Sequence, residues 1–210
     1  MGIAKDTAHP EGRGQDTSLE EIREVCLQCR KCKLRQGCRQ VVFGRGNPEA
    51  RLMFVGEGPG EQEDIQGLPF VGKAGQLLDK IIEAAGFSLE EVYIGNIVKC
   101  RPPGNRVPTL EEARTCMPWL MKQIQLIRPK IMVCLGSTAV QGILDPSLRI
   151  TKIRGRWAER NGILIMPTYH PAALLRDESK KRPVWEDFKQ VRKMYLSLAE
   201  RDCTAGNPII

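Results

Sequence analysis

No apolar run in this 210-residue sequence approaches twenty residues, which argues against a membrane-spanning helix. The first residues lack the apolar core of a secretion signal. A cytoplasmic protein is therefore the expectation, and disulfides are a poor use for its eight cysteines. No block of lysines or arginines occurs either, although basic residues exceed acidic ones to give a net charge of +7. Such an excess suits nucleic acid and equally suits a basic enzyme; any nucleic-acid surface has to be assembled by folding. The glycine-rich segment Gly56–Gly60, GEGPG, lacks the Gly-Lys-Ser/Thr ending of a phosphate loop. It also lacks the third glycine of a dinucleotide fingerprint, because Glu61 stands there.

What is present has the size and composition of one domain, expected over residues 18–200. Residues 1–17 read as a disordered tail and 201–210 as a frayed end. Ser18-Leu-Glu-Glu and Thr109-Leu-Glu-Glu are capping-box patterns that open helices. Apolar spacing predicts a helix over 74–85, stopped by Gly86, and another from 109 to about 127 that Pro118 should kink or restart. A third helix follows Gly136, and a last one covers 185–199. Short apolar runs at 52–55, 92–98, 131–135 and 163–167 read as strands. Strands of that kind alternating with helices predict an α/β three-layer sandwich, with a central four-stranded parallel sheet flanked by helices. Ligands in such sheets bind beyond the carboxyl ends of the strands. That rule brings GEGPG, Asn96 and His170 to one rim.

Four cysteines, Cys26, Cys29, Cys32 and Cys38, fall within thirteen residues, which makes ordinary buried thiols a weak explanation. Cys29 and Cys32 have a chelating spacing, and Cys100 and Cys116 flank a proline-rich loop that could fold back to meet them. A local ferredoxin run fails in detail, since Cys38 comes too late and Arg39, not proline, follows it. Zinc remains open on ligand type. Cys134, in a strand, and Cys203 read as structural. Phe70 stands in a loop between Gly67 and Gly72; it is a core plug or a stacking platform for a base. His170, before a proline at a strand end, is either structural or paired with Asn96, whose amide can both donate and accept along one base edge.

Taken together, CRKCKL, VVFGRGNPEARLMFVGEGPGEQED, PFVGKAGQLLDKI, NIVKCRPPGNRVP and HPAALLR resemble the family 4 uracil-DNA glycosylases, the iron–sulfur type of bacteria and archaea. The resemblance runs from Cys29 to Arg176 in the family's order. It implies a repair enzyme that hydrolyses the N-glycosidic bond of deoxyuridine, acting as a monomer on uracil-containing DNA, single- or double-stranded, with no membrane. It implies a [4Fe–4S] cluster on Cys29, Cys32, Cys100 and Cys116, with Cys26 and Cys38 outside the pattern. By the same resemblance, Glu57 and Gly58 would line the pocket, Phe70 would stack on the base, Asn96 would read its edge, and His170 would face a uracil carbonyl. Glu63 would block a 5-methyl group. HPAALLR would be a loop that enters the minor groove, with Leu174 or Leu175 as wedge and Arg176 near phosphate. The alternative is a non-catalytic iron–sulfur protein that binds nucleic acid. It leaves GEGPG, Phe70, Asn96 and His170 without a reason to coincide.

Overall fold

A computed structural model describes residues 18–205. The tail expected over 1–17 lies outside these residues, as does the end of the chain beyond Ala205. Ser18 caps the first helix, α1 (Leu19–Leu27), through the reciprocal bonds its sequence promised: Glu21 N–H to Ser18 Oγ at 3.2 Å and Ser18 N–H to Glu21 at 2.8 Å. The cysteine segment then carries a single helical turn, α2 (Leu34–Gly37). A two-residue strand, β1 (Arg45–Gly46), precedes β2 (Leu52–Gly56). Two helices follow, α3 (Glu61–Gln66) and α4 (Lys73–Ala84), and then β3 (Val92–Asn96). Residues 100–108 form a loop with one 3-10 turn, leading into α5 (Leu110–Ile127). Next come β4 (Ile131–Leu135), α6 (Ser137–Ile143), α7 (Ile150–Ile153), β5 (Ala158–Arg160) and β6 (Ile163–Thr168). α8 (Pro171–Arg176) and the long α9 (Lys181–Ala205) end the described chain.

The expectation of four strands is corrected. The sheet is mixed and six-stranded, in the order β1-β3-β2-β4-β6-β5. The inner pairings β3–β2, β2–β4 and β4–β6 are parallel, while β1 and β5 add antiparallel edges. Both edge strands are two or three residues long and mostly polar, too short to leave a periodic signal. Their value is to cover open sheet edges. Side chains of β2 alternate between the two faces: Met53 and Val55 belong to the same core cluster as Cys26, Leu120 and Val140, while Leu52 and Phe54 belong to the other, with Leu78, Ile82 and Val191. Phe54 also stacks on Phe188 at 5.8 Å. Helices thus cover both faces, and the strand ends are left to build a site.

Four further departures have local causes. α5 runs through Pro118 without restarting; Arg114, whose carbonyl loses its donor there, is exposed and can be hydrated. The acidic stretch after GEGPG is a helix, α3, ended by Gly67 in the left-handed region (φ 73°). HPAALLR is likewise helical, with His170 as N-cap and Pro171 in the first turn, where a missing N–H costs nothing. The last helix begins at Lys181 rather than Trp185, preceded by a turn that Asp177 caps. Among the described residues no helix is long and apolar enough to cross a membrane.

Candidate functional site

The chain passes from β2 to β3 on one side, then returns to place β4 on the other side of β2. A crevice opens between strand ends where the winding reverses in this way. Glu57 follows β2 and Thr138 follows β4 by three residues, so they face each other across that crevice. Thr138 Oγ1 donates a hydrogen bond to Glu57 Oε2. The parallel ladder continues one step past β3, with Ile97 N–H on Gly56 O at 2.9 Å and Val98 N–H on Glu57 O at 3.1 Å. These bonds fix the backbone from which Glu57 and Asn96 project.

Asn96 is only 2% exposed, yet its Oδ1 has no hydrogen-bond partner. A buried amide oxygen without a donor is a costly arrangement and calls for an explanation. Its neighbours supply one. A Cβ placed on Gly56 would stand 2.5 Å from both Asn96 Oδ1 and the tip of the Phe70 ring. The amide and the ring therefore converge over bare backbone, and the glycine keeps the space between them open. Gly58 is equally constrained, since a Cβ there would meet Val98 Cγ2 at 2.6 Å.

Phe70 is held in a conformation that a phenylalanine rarely adopts, with φ 56°. Three contacts hold it. Glu63 Oε1 accepts the N–H groups of Val71 (2.9 Å) and Gly72 (2.7 Å), while its Oε2 accepts that of Gly60 (3.1 Å). Arg45, paired with Asp79 at 2.6 Å, donates to the Phe70 carbonyl at 3.3 Å. Gly75 lets α4 pack directly beneath, where a Cβ would lie 2.0 Å from that carbonyl. Glu63 thus reaches the site as a clamp on the loop that carries the ring.

The Phe70 ring adjoins that of His170, with centroids 5.6 Å apart and planes at 29°. His170 Nδ1 accepts the Ala172 N–H at 3.1 Å, which leaves Nε2 to carry the proton of a neutral ring. Burial, with a smaller contribution from Arg176, pulls its pKa down from 6.5 to about 4, against an opposing influence of Glu63. At neutral pH this histidine is an uncharged Nε2–H donor.

α8 begins at His170 and separates the paired leucines. Leu174 is 1% exposed and packs into the core with Phe188, whereas Leu175 is 51% exposed and Arg176 is exposed beside it. Leu174 is therefore corrected from a candidate wedge to an anchor; a buried side chain cannot reach DNA.

Cys29, Cys32, Cys100 and Cys116 line one cavity, together with Cys26. Two of the sulfurs face N–H donors: Trp119 Nε1 lies 3.3 Å from Cys29 Sγ, and Lys99 N lies 3.2 Å from Cys116 Sγ. Lys31, Arg35 and Lys99 stand around the same cavity. Burial pushes the Cys26 thiol up to about 12 and that of Cys116 up to about 11. Among the described residues, no three His, Cys, Asp or Glu side chains form a group able to hold a single metal ion. Cys38 lies against Cys100, whose hydrogen bond pulls the Cys38 thiol below its ordinary value. Cys134 is fully buried in β4.

The loop after β3 is fixed at both ends. Arg101 Nε donates to Asn105 at 2.8 Å, and Arg106 makes a forked pair with Glu112 at 2.8 and 2.7 Å, in the first turn of α5. Sequence reasoning missed Thr138, Lys99, Gln123 and Trp119. Thr138 has a faint signal in its place after a strand, where sequence alone reads it only as the opening of a helix. A buried lysine has none.

Two comparisons bear on this geometry. Residues 43–189 match the family model of the Uracil DNA glycosylase superfamily. The chain is 44% identical over 189 residues to a type-4 uracil-DNA glycosylase of Sulfurisphaera tokodaii, covering 86% of each. It is 44% identical over 180 residues to one of Thermotoga maritima, covering 83% of this chain and 93% of the relative. A type-5 uracil-DNA glycosylase of Pyrobaculum aerophilum is 32% identical over 146 residues, 61% of this chain and 64% of its own.

Proposed function

The chain belongs to the type-4 uracil-DNA glycosylases of the Uracil DNA glycosylase superfamily, and from that membership we propose that it excises uracil from DNA in base-excision repair, hydrolysing the N-glycosidic bond. The observation that carries the reading is the unpaired, buried Oδ1 of Asn96 beside Phe70 and His170. Uracil offers an N–H donor between two carbonyls along one edge. That donor satisfies Oδ1, and the amide NH2 of Asn96 meets the neighbouring carbonyl.

The deoxyuridine leaves the base stack, which costs a few kcal/mol and least at a mismatch. Phe70 stacks on the base, a contact worth about 1–3 kcal/mol. As the bond between N1 and C1′ lengthens, its electron pair moves onto the base, and negative charge grows on the uracil oxygens. The Nε2–H of His170 donates to one of them, acting as an oxyanion-hole group with no proton to lose first. Water adds to C1′ and releases its proton to solvent or to the departing base. Glu57, steadied by Thr138, orients that water or stabilises the cationic sugar. Leu175 acts as the wedge into the minor groove, with Arg176 near phosphate.

Cys29, Cys32, Cys100 and Cys116 fit a [4Fe–4S] cluster. They share one cavity, two of them accept N–H donors, and basic side chains surround them. When bound, the cluster supplies four iron–thiolate bonds that join the segment after α1, the start of the 100–108 loop and α5. The protein acts as a single domain over residues 18–200 and as a monomer, on uracil in single- or double-stranded DNA.

The test is direct. Protein purified anaerobically is incubated with uracil opposite guanine, opposite adenine and in single strands, and free uracil is measured beside iron and sulfide content. Released uracil with about four irons per chain supports the reading. Tight DNA binding without uracil release would leave only the non-catalytic alternative.

A further inference from the structure

One short stretch of chain serves two sites. Asn96 ends β3 in the base pocket, and Cys100 lines the cysteine cavity. Lys99 lies between them and is 1% exposed. Its main-chain N–H points at Cys116 Sγ, 3.2 Å away. Its ammonium turns back to the main-chain carbonyl of Asn96, at 3.0 Å, and to Gln123 Oε1, at 2.5 Å. Gln123 cannot rotate away, because its NH2 group donates to the Phe43 carbonyl at 2.9 Å and to the Tyr93 hydroxyl at 2.8 Å.

Both acceptors of this buried ammonium are neutral. Lys99 lines the same cavity as Cys26, Cys29, Cys32, Cys100 and Cys116, and the ionisable groups whose charge bears on its ammonium are the thiols of Cys116 and Cys26, not carboxylates. A cation removed from water with only neutral partners is expensive, and the cost falls when an anion is close. Thiolates bound to metal would be that anion. We propose that Lys99 is the counter-charge of the loaded cysteine site and, through the Asn96 carbonyl, the tie that makes base reading depend on that loading. This rests on the cluster reading given above. It assigns the cluster an electrostatic and positional part in recognition, exerted through one side chain.

Lys99→Met keeps length and removes charge. Gln123→Glu keeps the lysine and gives it a rival carboxylate. Both are made in the full chain, purified anaerobically and challenged with an iron chelator while visible absorption is followed. Loss of absorption is expected on the order of tenfold faster in each variant than in the unaltered protein, the scale of one weakened charge interaction. Single-turnover uracil release is then measured for Lys99→Met alone and combined with Asn96→Ala. Lys99→Met should slow release about tenfold by itself and add little once Asn96 is gone, the pattern of coupled residues. A general structural defect would slow both backgrounds equally.

Equal cluster lifetimes in all three proteins would overturn the counter-charge, and additive losses would overturn the tie to Asn96. If Lys99→Met fails to fold, Gln123→Glu alone tests the charge, and its unchanged lifetime also overturns it. An unaltered protein without iron or sulfide would instead overturn the cluster reading itself, a result distinct from any of these.

Discussion

Replacing Glu63 separates two ways in which a carboxylate can shape this pocket. Its two oxygens take three backbone N–H groups, those of Gly60, Val71 and Gly72. Hydrogen bonds to a charged group contribute about 1.5–3 kcal/mol each when buried. Glu63 is partly exposed, so water can replace it in part, and about 1 kcal/mol per bond is a fair figure. Glu63→Ala then removes roughly 3 kcal/mol of restraint from the loop around Phe70. The positive φ of the Phe70 backbone stores strain of about 1–3 kcal/mol, so the loop relaxes locally before the domain unfolds. Single-turnover uracil release should fall by about tenfold to a hundredfold, with a melting temperature lowered by only a few degrees. Glu63→Gln retains one carbonyl oxygen and should fall between. Thymine opposite guanine is assayed in parallel. If Glu63→Ala releases uracil at the original rate and begins to release thymine, Glu63 is a gate against the 5-methyl group and not a clamp on the loop.

Further outcomes follow from the same geometry. Gly56→Ala drives a Cβ into Asn96 Oδ1 and the Phe70 ring, so uracil release should be lost while the melting curve shifts little; retained activity would deny that they share one pocket. Because His170 is held neutral down to about pH 4, its donor role should show no step near pH 6.5 and should change only as pH falls toward 4. The same depressed pKa means that the unfolded chain binds this proton first. Stability from His170 is complete above about pH 6.5 and is lost as pH falls through about 4; an unfolding titration of His170→Asn lacking that slope checks it. Leu174→Ala should cost about 2–5 kcal/mol of stability, while Leu175→Ala should leave stability intact and weaken excision from duplex more than from single strands.

The parts of this fold that sequence made legible are those that repeat or cap. Four apolar runs marked the inner strands, and Ser18 and Thr109 marked helix starts, because burial on both faces and backbone capping each demand particular residues. The edge strands left no mark, since two or three mostly polar residues satisfy a sheet edge by backbone bonds alone. The six residues of α8 are too few for a period to appear, so the segment reads as a loop in sequence, and the resemblance carries it without its conformation. At the site, Asn96 and His170 could be brought to one rim by the rule for strand ends. That Asn96 Oδ1 lacks a partner, that Glu63 clamps three N–H groups, and that Lys99 lines the cysteine cavity are facts of packing between distant segments. No spacing along the chain encodes them.

Asn96→Asp puts base recognition in this pocket to its sharpest test, through single-turnover release of uracil and of cytosine from the same DNA context. The substitution keeps the shape of the pocket and replaces the amide's donor by an acceptor. Uracil release should fall about tenfold or more, with cytosine becoming a detectable product. Undiminished uracil release with no cytosine release would contradict the assignment of Asn96 as the group that reads the base.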